Sequence, residues 1–289
     1  MHRRKAFRLK LRSGVLRLGE RTLVMGVLNV TPDSFSDGGE FFDAKRAVAQ
    51  SLAMQRDGAD IIDIGAESTR PGSQPISAAD ELRRLLPVLE ALRGKLKIPI
   101  SVDTQKSAVA EIALGAGAQF INDISGLRSD PRLAQVTAKF RAPLILMHMR
   151  GHPGTMQKGP FARDVVPDVV RGLNQSIATA RKAGVAKSQI VIDPGIGFGK
   201  SFSQNYELLA RLPELAKLGF PILVGTSRKG FLGATLAKNG KPAPTSERQW
   251  GTAATVAASI LNGAHIVRVH DVAEMAQVAR VTDSVCEQL

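Results

Sequence analysis

Gln189-Ile-Val-Ile-Asp-Pro-Gly-Ile-Gly-Phe-Gly-Lys-Ser201 joins a short β-branched run to a carboxylate and then to a glycine-rich turn. Continuous apolar runs this short suit parallel strands buried on both faces. The same pattern recurs along the chain. Further strand candidates are Thr22 to Leu28, Asp60 to Ile64, Pro99 to Val102, Phe120 to Ile124, Pro143 to Met147, Pro221 to Val224 and His265 to Val269. Amphipathic segments with helix signals lie between them. Ser77 with Asp80 and Asp271 with Glu274 read as capping boxes, and Asp130-Pro131 reads as an N-cap followed by a first-turn proline. Gly58, Gly94, Gly184 and Gly219 mark helix ends. Eight strand-helix units in 289 residues predict an α/β fold of the (β/α)8 TIM-barrel type, with a doubly wound open sheet as the alternative. The alternation of Phe7, Leu9 and Leu11 with Leu16 and Leu18 predicts a short N-terminal β-hairpin.

The polar residues fall where such a barrel puts chemistry. Each strand runs into side chains suited to binding: Asn29, Glu67 to Arg70, Asp103, Asn122 with Asp123, His148, Asp193, Ser227 to Lys229, and Arg268 with His270. In a barrel these positions converge on one rim. Helix capping accounts for Asp123 or Asp271 but not for the lysine and arginines, because the helix dipole disfavours cations at an N-terminus. Arg268 and His270 are two residues apart on one strand and share a side, and Arg70 has the fork geometry that suits phosphate. An anionic, phosphorylated substrate is therefore expected.

Other readings are weaker. A P-loop ending at Gly199-Lys200-Ser201 would need glycine where Pro194 stands, and a dinucleotide fingerprint from Gly195 would need it at Lys200. The turn reads instead as one that lets backbone approach closely. His148 and His152 have a zinc-like spacing, but no neighbouring Cys or His completes a site. Lys229 in a Schiff-base role, and Asp63 as a satisfied structural carboxylate, stay open.

Lys and Arg number 39 against 26 Asp and Glu, a formal charge of +13. This balance would attract nucleic acid, lipid or small anions alike. Aromatics make up only 4% and the basic residues are dispersed, so a nucleic-acid surface is not expected. No apolar run approaches membrane-span length, and no secretory pattern follows Met1-His2-Arg3-Arg4-Lys5. Cys286 is the only cysteine. A cytoplasmic protein is expected, with residues 1–15 a basic leading segment and 16–289 a single domain.

Met25-Gly-Val-Leu-Asn-Val-Thr-Pro-Asp-Ser-Phe-Ser-Asp-Gly-Gly39 resembles the opening signature of the dihydropteroate synthases. The resemblance continues in order through Gly65-Ala-Glu-Ser-Thr-Arg-Pro-Gly72, Ser101-Val-Asp-Thr104, Ile121-Asn-Asp-Ile124, Leu146-Met-His-Met149, Asp193 to Lys200, Ser227-Arg-Lys-Gly230 and Arg268-Val-His270. It covers the chain from about Leu16 onward.

The resemblance implies a pterin-binding (β/α)8 barrel that condenses 6-hydroxymethyl-7,8-dihydropterin diphosphate with 4-aminobenzoate, releasing diphosphate and forming 7,8-dihydropteroate for folate synthesis. It further implies a homodimer that sulfonamides target. Carried over by motif, Asp103, Asn122, Asp193 and Lys229 would hold the pterin. Asn29, Arg70, Arg268 and His270 would hold the diphosphate, with Asn29 also a ligand to Mg2+. Phe35, Thr69, Pro71, Phe198 and Ser227 would surround 4-aminobenzoate. Asp103, Lys229, Arg268 and His270 would be the catalytic set. Ala66 and His152 depart from the family pattern, and so does the length of the Lys238 to Arg248 loop. A pterin-dependent methyltransferase working with a corrinoid partner and a catalytically silent pterin-binding protein are the rival readings.

Overall fold

The computed structural model describes residues 4–31, 40–69 and 72–288. Phe35, Arg70 and Pro71 lie outside the described residues. A hairpin of β1 (Phe7–Leu11) and β2 (Gly14–Leu18) comes first. Eight parallel strands follow: β3 (Leu23–Asn29), β4 (Ile61–Gly65), β5 (Ile100–Asp103), β6 (Phe120–Asp123), β7 (Leu144–Met147), β8 (Ile190–Asp193), β9 (Leu223–Val224) and β10 (Ile266–Val269). Their order is β8-β7-β6-β5-β4-β3-β10-β9, and a parallel bridge between Ile192 and Ile222 joins the two ends. The sheet therefore curls into a barrel, and the open-sheet alternative is excluded. The eight strands lie where the apolar runs predict them, within one or two residues at each end.

Helices α1 (Glu40–Arg56), α2 (Ala78–Leu92), α3 (Ser107–Gly115), α4 (Arg132–Phe140), α5 (Val165–Lys182), α6 (Phe202–Ala210), α7 (Leu212–Ala216), α8 (Gly230–Thr235), α9 (Gln249–Leu261) and α10 (Val272–Cys286) connect the strands. Ser77 caps α2 by accepting from the Asp80 N–H at 3.1 Å. Ser201 with Gln204 forms a full capping box on α6, a signal not read in the sequence. The capping box expected at Asp271 and Glu274 is absent, because Asp271 makes no cap bond to α10 and its carboxylate is held by Arg228. Four of the helix ends carry left-handed glycines, Gly58, Gly94, Gly184 and Gly219, as expected.

Side-chain alternation divides the strands into two faces. Val24, Ile62, Val102, Ile121, Leu144, Ile190, Val224 and Val267 pack outward with the helices. Met25, Ile61, Phe120, Ile145, Val191, Leu223 and Ile266 form a second buried cluster with Leu9 and Leu18, so the hairpin closes the barrel's amino-terminal end. That plug is latched by His265. Its Nδ1 accepts from the Ile222 N–H at 3.1 Å, its Nε2 donates to the Lys5 carbonyl at 3.0 Å, and its ring meets Phe7 edge-on. Arg4 adds bonds to Thr22 Oγ1 at 2.6 Å and the Ala264 carbonyl at 3.0 Å, with an ion pair to Asp283.

Candidate active site

On four of the strands, the residue two positions beyond the inward apolar one is polar. Ile61 leads to Asp63, Phe120 to Asn122, Val191 to Asp193 and Ile266 to Arg268, while Ser101 leads to Asp103 on the strand between. Strand pairing sets these groups side by side, with Asp103 opposite Asn122 and Asp63 opposite Ser101. The polar layer thus lies directly above the floor at the carboxyl ends of the strands, where barrels do their chemistry.

Arg268 ties this layer together. Its Nε donates to Asp63 Oδ2 at 2.7 Å and its Nη2 to Asp103 Oδ2 at 3.1 Å. Asp63 Oδ2 also accepts from Asn122 Nδ2 at 3.0 Å, while its Oδ1 is buried with no hydrogen-bond partner. Asp63 therefore belongs to the site's framework. The structural-carboxylate reading of Asp63 is thus the one its partners support, and its spacing of two from Ile61 makes it inward-facing. Arg268 Nη1 has no hydrogen-bond partner among the described residues and is the part left for a ligand.

Burial drives the proton affinities here. Burial pushes the Asp103 carboxyl up to about 8, opposed by Arg268 and reinforced by Asp63. Burial likewise raises Asp193 to about 6 against the Gly195 N–H, which donates to Asp193 Oδ1 at 2.6 Å. Lys229 is lowered to about 8 by burial and then by Arg268, with Asp193 and Asp103 pulling the other way. These groups feel one another's charges because they share one low-dielectric space.

Lys229 is the N-cap residue of α8 but makes no capping bond. Its Nζ instead lies 4.0 Å from the centroid of the Phe198 ring, a cation–π contact. Gly197 makes room for the stem, since a Cβ there would stand 3.0 Å from Lys229 Cδ. Phe198 is buried in a small cluster with Ile124, Met147, Met149 and Met156.

On the other side, the His270 N–H donates to Ser227 Oγ at 3.2 Å, and its ring Nδ1 lies 3.0 Å from the same oxygen. Burial, Arg268 and Arg228 drop the His270 pKa to about 3, so the imidazole is neutral at physiological pH. It enters the site as a hydrogen-bonding group, and the cationic character expected there comes from Arg268 and Lys229. Asn29 ends β3 beside Gly65, at which a Cβ would lie 3.8 Å from both Asn29 Oδ1 and Asp103 Oδ2. Thr69 is half-buried in the loop after β4. The structure thus brings Asn29, Asp103, Asn122, Asp193, Phe198, Ser227, Lys229, Arg268 and His270 to one rim.

Several rim residues serve the scaffold instead. Glu67 pairs with Lys106 at 2.9 Å and accepts from the Ile76 N–H at 2.8 Å. Asp123 accepts from the N–H groups of Ser125 and Leu127, which folds its own loop. Arg228 pairs with Asp271. His148 Nδ1 is taken by Lys200 Nζ at 3.0 Å, while His152 is exposed. Among the described residues no group of three His, Cys, Asp or Glu could hold a metal.

A family model described as pterin binding enzyme matches residues 25–270. A dihydropteroate synthase from Synechocystis sp. is 51% identical over 266 residues, covering 92% of this chain and 91% of that protein. A solved structure of Xanthomonas albilineans dihydropteroate synthase with 4-aminobenzoic acid has a TM-score of 0.88 and 41% identity, covering 97% of this chain and 98% of that one. The same organism's dihydropteroate synthase in complex with 7,8-dihydropteroate has a TM-score of 0.84 and 39% identity, covering 96% and 98%.

Proposed function

The chain belongs to the pterin-binding enzymes and, within them, to the dihydropteroate synthases, and from that premise we propose how its own residues divide the work. The reaction joins 6-hydroxymethyl-7,8-dihydropterin diphosphate to 4-aminobenzoate, giving 7,8-dihydropteroate and diphosphate. The bond broken is the C–O bond of the pterin methylene, whose electron pair leaves on the diphosphate. The bond formed joins that carbon to the aniline nitrogen, which gives up one proton.

Asp103, Asn122, Asp193 and Lys229 hold the pterin in this reading. The aminopyrimidine edge presents adjacent N–H donors to a carboxylate, an Asn amide both donates and accepts, and Lys donates to a ring carbonyl. The observation that carries the assignment is the interior polar layer, in which Arg268 bridges Asp63 and Asp103 while Lys229 approaches from the loop after the neighbouring strand β9. Arg268, His270, Asn29 and Arg70 hold the diphosphate. Positive charge that develops on the pterin as the C–O bond opens falls beside Asp103, whose raised proton affinity makes it sensitive to a nearby cation. The aniline lone pair is free at neutral pH, so no general base is assigned. Phe35, Thr69, Pro71, Phe198 and Ser227 surround the aminobenzoate.

Mg2+ fits the donor set that Asn29 provides. A neutral amide oxygen, with no metal-binding carboxylate cluster among the described residues, suits an ion that takes most of its ligands from water and substrate phosphate. When bound it would neutralise the leaving diphosphate. Asn29 would hold it, and Arg268 Nη1 and His270 would face the phosphates.

We also propose a homodimer. Trp250 on α9 is 80% exposed and Val281 on α10 is 67% exposed, on two helices that pack against each other, and that apolar surface suits a second copy. Residues 16–289 form one catalytic domain in this reading, with β1 of the leading segment packed beneath the barrel. One cysteine in 289 residues fits the reducing cytoplasm, and no helix among the described residues is long and apolar enough to cross a membrane. The direct test measures diphosphate release from the pterin diphosphate with Mg2+, with and without 4-aminobenzoate, and identifies the product by mass. Release coupled to a 7,8-dihydropteroate product is expected, and corrinoid-dependent methyl transfer would defeat the reading.

A further inference from the structure

Lys200 ends the glycine-rich loop after β8 and is only 2% exposed. Its Nζ lies 3.0 Å from His148 Nδ1, 3.1 Å from the His148 carbonyl and 3.0 Å from the Phe198 carbonyl. An ammonium has three protons, so every donor is used, and each acceptor is neutral. Among the described residues no carboxylate pairs directly with Lys200; burial lowers its pKa to about 7, and Asp193 and Asp168 oppose that shift only from farther off. Burying a cation without a directly paired counter-ion is costly, and an apolar side chain would fill the same space more cheaply. A role in holding geometry accounts for a lysine here.

The acceptors identify what is held. His148 belongs to the loop after β7 and Phe198 to the loop after β8. The two loops approach so closely that a Cβ on Gly195 would stand 1.9 Å from the His148 carbonyl oxygen, and one on Gly199 2.2 Å from that of Arg150. The close approach these glycines allow is thus to the protein's own backbone. His148 is itself fixed from outside. Its ring fills a notch at Gly172 of α5, where a Cβ would lie 2.5 Å from His148 Cδ2, and its Nε2 faces Asp168 at 3.7 Å. From this anchored pair, Lys200 grips the carbonyl of the residue whose ring lies under the Lys229 ammonium.

We propose that Lys200 is a positioning residue: by tying the Phe198 carbonyl to His148, it fixes the Phe198 ring as the surface on which 4-aminobenzoate and the Lys229 ammonium are set. The proposal rests on the reading of Phe198 as part of the aminobenzoate site. Lys200 touches neither substrate, so its effect has to pass through Phe198.

The test is a double-mutant cycle on the full-length enzyme with Lys200→Met, Phe198→Leu and both together. Steady-state KM values for 4-aminobenzoate and for the pterin diphosphate are measured beside melting temperatures. Lys200→Met is expected to raise the aminobenzoate KM about tenfold, with the pterin diphosphate KM changed about twofold or less. In the Phe198→Leu background the same substitution is expected to add nothing to the aminobenzoate KM. An aminobenzoate KM that Lys200→Met leaves alone while Phe198→Leu raises it, or effects that simply add, overturns the proposal while the site reading stands. An unchanged aminobenzoate KM in Phe198→Leu instead overturns the site reading beneath it. Should Lys200→Met not fold, His148→Asn, which removes one acceptor from the same ammonium, carries the same comparison.

Discussion

Arg268 donates through Nη2 to Asp103 Oδ2 at 3.1 Å, although 165 residues separate the two. The same guanidinium donates through Nε to Asp63, which is 0% exposed. One partly buried cation thus offsets two carboxyl groups, one of them fully buried. Removing it should cost more than removing either acid. Arg268→Met is expected to destabilise the fold by roughly 3–5 kcal/mol in urea unfolding, as for other buried pairs that lose one partner. Asp103→Asn leaves Arg268 paired with Asp63, so its expected loss is about 1 kcal/mol while kcat/KM falls at least about a hundredfold. Equal stability losses in the two variants would refute this division.

The pH profile should report Lys229. Its pKa sits at about 8, lowered by burial and by Arg268, so the ammonium is lost as pH rises through that value. The kcat/KM for the pterin diphosphate is expected to decline on the alkaline side of about pH 8. Asp103 titrates in the same range but in the opposite sense, gaining charge as pH rises. Lys229→Gln separates the two: the alkaline decline should vanish and kcat/KM should drop roughly a hundredfold throughout. Persistence of the limb in that variant would reassign it.

Gly195→Ala should be severe for two reasons. Its φ of +68° is left-handed, and the added Cβ would stand 1.9 Å from the His148 carbonyl oxygen, a backbone atom that cannot swing away. The expected cost exceeds about 2 kcal/mol, with a raised aminobenzoate KM because Phe198 is three residues away. Wild-type melting and kinetics in Gly195→Ala would show that the two loops can separate freely.

Acid should loosen the barrel's floor through His265. Burial lowers its pKa to about 4 from an ordinary value of 6.5, so the folded state favours the neutral ring that both accepts from Ile222 and donates to Lys5. Its contribution is therefore complete above about pH 6.5 and is lost as pH falls toward about 4. His148 and His270 are shifted in the same direction and sharpen the same decline. Melting temperatures from pH 8 down to 4 should drop for the wild type and drop less for His265→Gln. A variant that follows the wild-type curve throughout would remove His265 from the explanation.

The exposed Trp250 gives a test of assembly. Trp250→Glu places a charge on the face assigned to the second copy and is expected to halve the mass seen by light scattering with little change in melting of the protomer. An unchanged mass would move the interface elsewhere.

Much of this was legible in the chain because short apolar runs ending in polar side chains admit few solutions. The eight strands, the hairpin and the shared rim placement of nine candidate residues follow from local pattern and motif. The partners of Asp63 and the role of Lys200 were not legible. Asp63 lies inside an apolar strand, where its neighbours in sequence are isoleucines and its partners Arg268 and Asn122 arrive from other strands. Lys200 looked like the end of a failed nucleotide motif, since its acceptor His148 is 52 residues away. The Asp271 capping box failed because Arg228, from a distant loop, competes for the same carboxylate.

The sequence by itself determined the order of strands and helices, the rim on which polar groups gather and the family signature they carry, because period-two and helical patterns are local properties of the chain. Only the tertiary structure decided which charges are paired and which are left for a ligand. Proton affinity depends on burial and on neighbours brought close by folding, so it took the assembled barrel to make His270 neutral, to set Arg268 between two acids and to give Lys200 its grip on Phe198.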